Sequence, residues 1–251
     1  TVCDIDDQLT EYPFDIVIHL GAKSETNSQN PSGVFENNLL SSIRILDKLP
    51  PHCKFIYASS ASVYGDQSKD IDIVEDPKFE NCNSLYSKSK LIFDDIVRTF
   101  FNHKGYVGLR FFNVCSFEDE PYKAQPSPTY TFLKELRENQ EIKLFTGSDN
   151  IYRDFVFIDD IISIIEFFIA NDITESQVFN VGTGIPVSFE EIANEMISSY
   201  GEGEKRYIDR PLDVTTNYQH YTKANINKLR QFGYAKSIPC ILDYIKTYEY
   251  K

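Results

Sequence analysis

Two short segments hold the side chains best suited to chemistry. Ser59-Ser60 closes an apolar, β-branched run, and Tyr86-Ser87-Lys88-Ser89-Lys90 opens a segment of helical period. Tyr86 and Lys90 are four residues apart, so they share one face of a helix. An ammonium beside a phenol favours the phenolate and lowers a pKa that starts near ~10. Ser60, presented at the carboxyl end of a strand, can hydrogen-bond the same substrate oxygen. Such a trio moves a proton on and off an alcohol while a hydride leaves its carbon. A Tyr-x-x-x-Lys spacing also arises by chance in a chain with 16 tyrosines, so the elements that position these residues decide what the spacing means.

Those elements read as α/β. Short apolar runs at Phe14–Leu20, Lys54–Ser59, Tyr106–Phe112, Arg153–Ile158 and Gln177–Gly182 predict strands, the first three nearly continuous as in a sheet covered on both faces. Between them Val34–Leu49, stopped by Pro50-Pro51, and Tyr86–Lys104 have helical period and read as crossover helices of a doubly wound parallel sheet. From Cys115 to Pro128 the texture changes to a Pro- and acid-rich loop, where the chain is expected to leave the sheet domain. Later helices are predicted over Thr129–Asn139, Asp159–Ala170, Ser188–Tyr200, Thr222–Phe232 and Pro239–Tyr248, with Ser188 as a helix start.

Composition narrows the function. The 251 residues suit one large domain or two interleaved ones. A net charge of −13 without a Lys/Arg cluster argues against nucleic acid as a partner, because counterion release needs a basic footprint. The most apolar stretch, Ile161–Ala170, falls well short of the ~20 residues of a membrane span. Five cysteines, odd in number and without a Cys-x-x-Cys pair, suit reduced thiols in a cytoplasm and no metal. His52, His103 and His220 show no ligand spacing, and Asp159-Asp160 reads as a helix N-terminus. No secretory signal follows Thr1.

Further segments follow in a fixed order: His19-Leu20-Gly21-Ala22, Tyr57–Gly65 (YASSASVYG), Arg110–Val114 (RFFNV), Leu144–Asp160 (LFTGSDNIYRDFVFIDD), Phe179–Gly184 (FNVGTG) and Asn217–Tyr234. Together with the trio they resemble the extended short-chain dehydrogenase/reductase family, the NAD-dependent epimerases and dehydratases of nucleotide sugars, over nearly the whole chain. The finer likeness is to the branch that inverts C6 of an ADP-heptose for surface polysaccharide. The resemblance implies a Rossmann-like domain of residues 1–114 with 151–182 and a smaller, interleaved substrate domain of 115–150 with 183–251. It implies Ser60, Tyr86 and Lys90 as catalytic residues, NADP or NAD as cofactor, and Leu20, Gly21, Ala22 (with the strand end to Ser24), Asn37, Ser59, Tyr86 and Lys90 as cofactor-binding. A second acid/base, Lys123, would serve the opposite face of the sugar, and Arg153 would meet the diphosphate. Asn113, Lys123, Phe145, Ser148 and Tyr218 would contact the rest of the sugar nucleotide. The alternative for Arg153 is an ion pair with Asp154 or Asp159. Dimer contacts in the family imply a homo-oligomer.

Departures from the family pattern are equally informative. A 4,6-dehydratase of the family carries Asp-Glu after its catalytic Ser/Thr to eliminate water, whereas this chain has Ala61-Ser62. Cys115-Ser116-Phe117 replaces the usual Tyr-Gly-Pro beside the sugar. A strand, a Gly-rich turn and a helix should open the cofactor domain, and none precedes Phe14; the family pattern places roughly fifty to sixty further residues upstream. A UDP-hexose 4-epimerase and a shortened, non-catalytic relative that binds a nucleotide sugar remain as alternatives.

Overall fold

A computed structural model describes residues 14–24, 28–69, 71–118, 126–210 and 219–250. In chain order its elements begin with β1 (Ile16–His19), α1 (Pro31–Phe35), a π-helical turn (Glu36–Leu40), α2 (Ser41–Lys48), β2 (Lys54–Ser60), α3 (Leu85–Phe100), β3 (Val107–Phe111) and β4 (Asn113–Cys115). There follow α4 (Pro128–Asn139), β5 (Glu141–Phe145), β6 (Tyr152–Phe157), α5 (Ile158–Ala170), β7 (Gln177–Val181) and β8 (Pro186–Ser188). The last are α6 (Phe189–Tyr200), β9 (Glu204–Ile208), α7 (Asn227–Gln231) and α8 (Ile241–Thr247).

Contacts divide the chain into two units. The first holds the described residues through Gly65, Glu75–Phe111 and Ser163–Asn180; the second holds Asp66–Val74, Phe112–Ile162 and Val181 onward. In the first, β1, β2, β3 and β7 lie side by side, with β1 parallel to β2 and β2 parallel to β3. Phe55 and Tyr57 of β2 pack with Ile45 and Leu46 of α2 and with Phe93 and Val97 of α3. The start of α3 is fixed by a capping box: Ser84 Oγ accepts from the Ser87 amide at 3.0 Å, and Ser87 Oγ accepts from the Ser84 amide at 3.1 Å. A cap of this kind stabilises a helix by about 1 kcal/mol, and here it seats Tyr86 in the first turn.

In the second unit β4 runs parallel to β6, β6 antiparallel to β8, and β5 parallel to β9. Its core joins α4, α6 and α8 through Leu133, Leu136, Ile192, Met196, Ile241 and Ile245. The resemblance implies residues 151–182 for the cofactor domain; β6 pairs with β4 and β8, and by contacts 163–180 fall in the first unit while 151–162 and 181–182 fall in the second.

Asp154 of β6, fully buried, organises this unit. Its carboxylate accepts the amides of Thr183 (2.7 Å), Gly184 (2.8 Å) and Ala224 (2.9 Å), and the Thr183 hydroxyl (2.8 Å). The Gly182-Thr183-Gly184 turn therefore cradles an anion, and the anion is the protein's own. A Cβ on Gly182 would lie 2.7 Å from the Ala224 methyl and 3.0 Å from the Asp154 carboxylate, so only glycine allows this approach. The same bonds explain a correction. A helix was expected over Thr222–Phe232, but only Asn227–Gln231 is helical, because the amides of Thr222 and Ala224 are held by the Tyr152 carbonyl and by Asp154.

Replacing Asp154 with alanine orphans the buried amides of Thr183 and Ala224, each worth about 1–3 kcal/mol, and the half-buried amide of Gly184. Asp154→Ala is expected to lose at least ~3 kcal/mol in urea unfolding, and a loss below ~1 kcal/mol would show that the turn does not depend on this carboxylate.

Candidate active site

The carboxyl ends of β1 and β2 and the first turns of α3 bring the proposed catalytic residues together within the first unit. Ser60, the last residue of β2, caps the short 3₁₀ turn Ala61–Tyr64 by accepting the Ser62 amide at 3.2 Å. Tyr86, half-buried in the first turn of α3, is close enough for the Ser60 hydroxyl to favour its phenolate. Lys90, 5% exposed, lies one turn beyond Tyr86 and donates to the Ala58 carbonyl of β2 at 2.7 Å. Burial pushes its amine down to about 8, against the opposing pull of Asp94.

The expectation that Lys90 lowers the Tyr86 pKa is corrected here. Burial raises the Tyr86 phenol, the Ser60 hydroxyl offsets this in part, and the Lys90 ammonium is engaged with the Ala58 carbonyl instead. Desolvation outweighs proximity.

Behind the trio lies a fully buried polar cluster that sequence reasoning missed. Arg110 of β3 donates through Nε to Asp94 Oδ2 (2.9 Å), through Nη1 to the Tyr64 hydroxyl (3.0 Å) and through Nη2 to Glu80 (2.6 Å). Ser59 Oγ donates to the same Asp94 oxygen at 2.9 Å. The Ser59 hydroxyl thus supports the site from behind and does not face a ligand. A readable signal existed: Tyr86, Lys90 and Asp94 are spaced four apart on one helix face, and Arg110 interrupts an apolar strand.

The expected cofactor-lining segments lie at the sheet's edge. Leu20 is 49% exposed, Ala22 half-buried, and the position of a Cβ on Gly21 is open, with no atom within 4 Å. Asn37 sits half-buried on the π-helical turn, a geometry that often marks functional positions. Its neighbour Asn38, 1% exposed, was not anticipated. Its carboxamide accepts the Lys23 amide (2.7 Å) and donates to the Lys23 carbonyl (3.0 Å) and Ser89 Oγ (3.1 Å), tying the strand-end loop to α3. Ser42 gives its proton to the Asn38 carbonyl at 2.7 Å, so it accepts from His19 Nε2 at 2.8 Å. Burial, then the nearby Lys90, push His19 down to about 4.

In the second unit Asn113 is half-buried in β4, Phe145 half-buried at the end of β5, and Ser148 buried with its hydroxyl on Glu190 at 3.4 Å. Arg153, 5% exposed, donates to the Tyr152 carbonyl at 3.3 Å. Lys123 and Tyr218 lie outside the described residues. Among those described, no helix is long and apolar enough to cross a membrane.

A nicotinamide dinucleotide fits the groups present. Of the three N–H donors on Lys90, one is spent on Ala58 among the described residues, which leaves two for ribose hydroxyls. The neighbouring strand end offers open backbone at Gly21.

The model of the NAD dependent epimerase/dehydratase family matches residues 2–182, and the chain belongs to that family. A curated ADP-L-glycero-D-manno-heptose-6-epimerase from Brachyspira hyodysenteriae is 34% identical across 92% of this chain and 74% of that relative. The crystal structure of the Helicobacter pylori ADP-L-glycero-D-manno-heptose-6-epimerase superposes with a TM-score of 0.78 at 28% identity, covering 98% of this chain and 72% of that one. Thermus thermophilus UDP-glucose 4-epimerase, solved with NAD, shares the fold with a TM-score of 0.79 at 18% identity, covering 99% of this chain and 83% of that one. The chain thus has the α/β, Rossmann-like architecture of these epimerases.

His19 yields a pH test. Its folded-state value lies below the unfolded one near ~6.5, so the unfolded chain takes up the proton first and stability falls as pH drops from there to about 4. His19→Gln should remove this part of the acid-induced loss in urea melts at successive pH values. Parallel stability curves for the two proteins would contradict the assignment.

Proposed function

We propose that this chain is a nucleotide-sugar epimerase that inverts C6 of an ADP-heptose by transient oxidation and re-reduction at that carbon. The observation that carries the reading is the placement of Ser60 at the carboxyl end of β2 beside Tyr86 and Lys90 in the first turns of α3, in a chain 34% identical to an ADP-heptose epimerase along 92% of its length. NAD or NADP, when bound, supplies the hydride acceptor and donor. Lys90 and Tyr86 hold its ribose, and Leu20, Gly21, Ala22, Asn37 and the Ser59 backbone line its site.

Ser60, at the carboxyl end of β2, orients the substrate hydroxyl. Burial keeps the Tyr86 phenol neutral at rest, so it must first give up its own proton; as phenolate it takes the proton of the sugar hydroxyl while hydride leaves that carbon. Lys90, one turn away with its hydrogen bond on Ala58, supplies positive charge near the developing anion. Inversion presents the oxygen in two positions, so Lys123 serves as acid/base on the opposite face. Arg153 binds the diphosphate with paired guanidinium donors, and Asn113, Phe145, Ser148 and Tyr218 hold the remainder. The enzyme works in the cytoplasm, a placement supported by free thiols at Cys53, Cys82, Cys115 and Cys240. It forms a homo-oligomer, supported by the exposed apolar side chains Ile92 (39%) and Phe100 (69%) on α3.

Turnover of ADP-heptose against UDP-hexoses tests the substrate, and inactivity on the former overturns it. Tyr86→Phe should lower kcat by about 10²–10⁴-fold with KM nearly unchanged, since the hydroxyl acts in the transition state. Comparable turnover would remove Tyr86 from the mechanism.

A further inference from the structure

Resting on the reading of Lys90 as the active-site amine, we propose that Asp94 is a positioning residue: its buried carboxylate keeps the Lys90 ammonium charged and fixes Ser59 behind Ser60. Tyr86, Lys90 and Asp94 occupy successive turns of one α3 face, and Lys90 and Asp94 are 5% and 1% exposed. A buried ammonium loses hydration and keeps its proton only if a negative charge stands close by.

The titratable and charged groups around this pair are His19 from β1, Tyr57 from β2, Tyr64 from the turn after β2, Glu80 from the loop before α3, Tyr86 and Arg98 from α3 and Arg110 from β3. His19 is neutral above about 4. Tyr57 and Tyr86 are neutral, because burial raises both phenols. Arg110 is a cation, held so against the cost of burial by Asp94, Tyr64 and Glu80. Glu80 is paired with Arg110 and Arg98. Burial raises the Asp94 carboxyl, and Arg110, Ser59 and Tyr57 work against that rise; Asp94, one turn from Lys90, is the anion that raises the proton affinity that burial of Lys90 lowers. Its Oδ2 is fixed by Arg110 and Ser59, both at 2.9 Å. The carboxylate therefore stays in place when Lys90 changes charge.

A purely structural Asp94 would serve only to pair Arg110. The two roles separate in the ionisation of Lys90, read by NMR titration of ¹³Cε-lysine-labelled protein, with the Lys90 signal assigned through Lys90→Met. The full chain should titrate near 8 at this position. Asp94→Asn should move the midpoint down by about one unit or more, tenfold in the ionisation constant, and Asp94→Glu, which keeps the charge, should return it most of the way. An unshifted Lys90 midpoint in folded Asp94→Asn overturns the proposal. Should Asp94→Asn fail to fold, the unaltered chain decides: the Asp94 carboxyl carbon should inflect at the Lys90 midpoint, and a flat signal there overturns the proposal. Because these titrations need no substrate, a lack of epimerase turnover would sink the functional reading while the coupling of Asp94 to Lys90 is judged separately.

Discussion

The buried ion pair between Arg110 and Asp94 is the constraint around which the first unit is arranged. A guanidinium with no exposure must place its donors on acceptors, and it does so on Asp94, Tyr64 and Glu80. Those acceptors come from α3, from the 3₁₀ turn after β2 and from the loop before α3. One side chain of β3 thus fixes the segments on either side of Ser60 and Tyr86. Removing one partner from such a pair leaves an uncompensated buried charge, at a cost of about 3–5 kcal/mol. This network holds the segments that carry Ser60, Tyr86 and Lys90, and the capping box at Ser84 sets the first turn in which Tyr86 lies.

The second unit solves a similar problem with one charge. Asp154 is held by backbone amides and a hydroxyl. Burial raises its proton affinity, and these hydrogen bonds work against that rise. In both units a buried aspartate is surrounded by donors from segments far apart in sequence, so each defines tertiary structure that local propensity does not encode.

That difference explains what was legible beforehand. The strands at Ile16–His19, Lys54–Ser60, Val107–Phe111 and Gln177–Val181 follow from short apolar runs, and α3, α4, α5 and α6 from helical period, with Ser188 starting α6 and Asp159-Asp160 in the first turn of α5. The placement of Ser60 at a strand end and of Tyr86 and Lys90 at a helix start was readable because both are local signals. The pairing of β6 with β8, the extended course of residues 222–224 and the π-helical turn were not, since each depends on partners distant in sequence. The same holds for Asn38. Its type does not distinguish it from Asn37, and only the fold shows which of the two amides is buried against Lys23 and Ser89.

The physical account thus assigns proton handling to Tyr86, charge to Lys90 and orientation to Ser60, with hydrogen leaving and returning to one carbon as hydride. The most direct measurement is the isotopic content of product formed from unlabelled ADP-heptose in D₂O. Transient oxidation returns the same hydrogen, so the inverted C6 should carry protium, with deuterium confined to exchangeable positions. Deuterium at C6 would mean that the carbon loses a proton to solvent, and would contradict the oxidation and re-reduction proposed for this site.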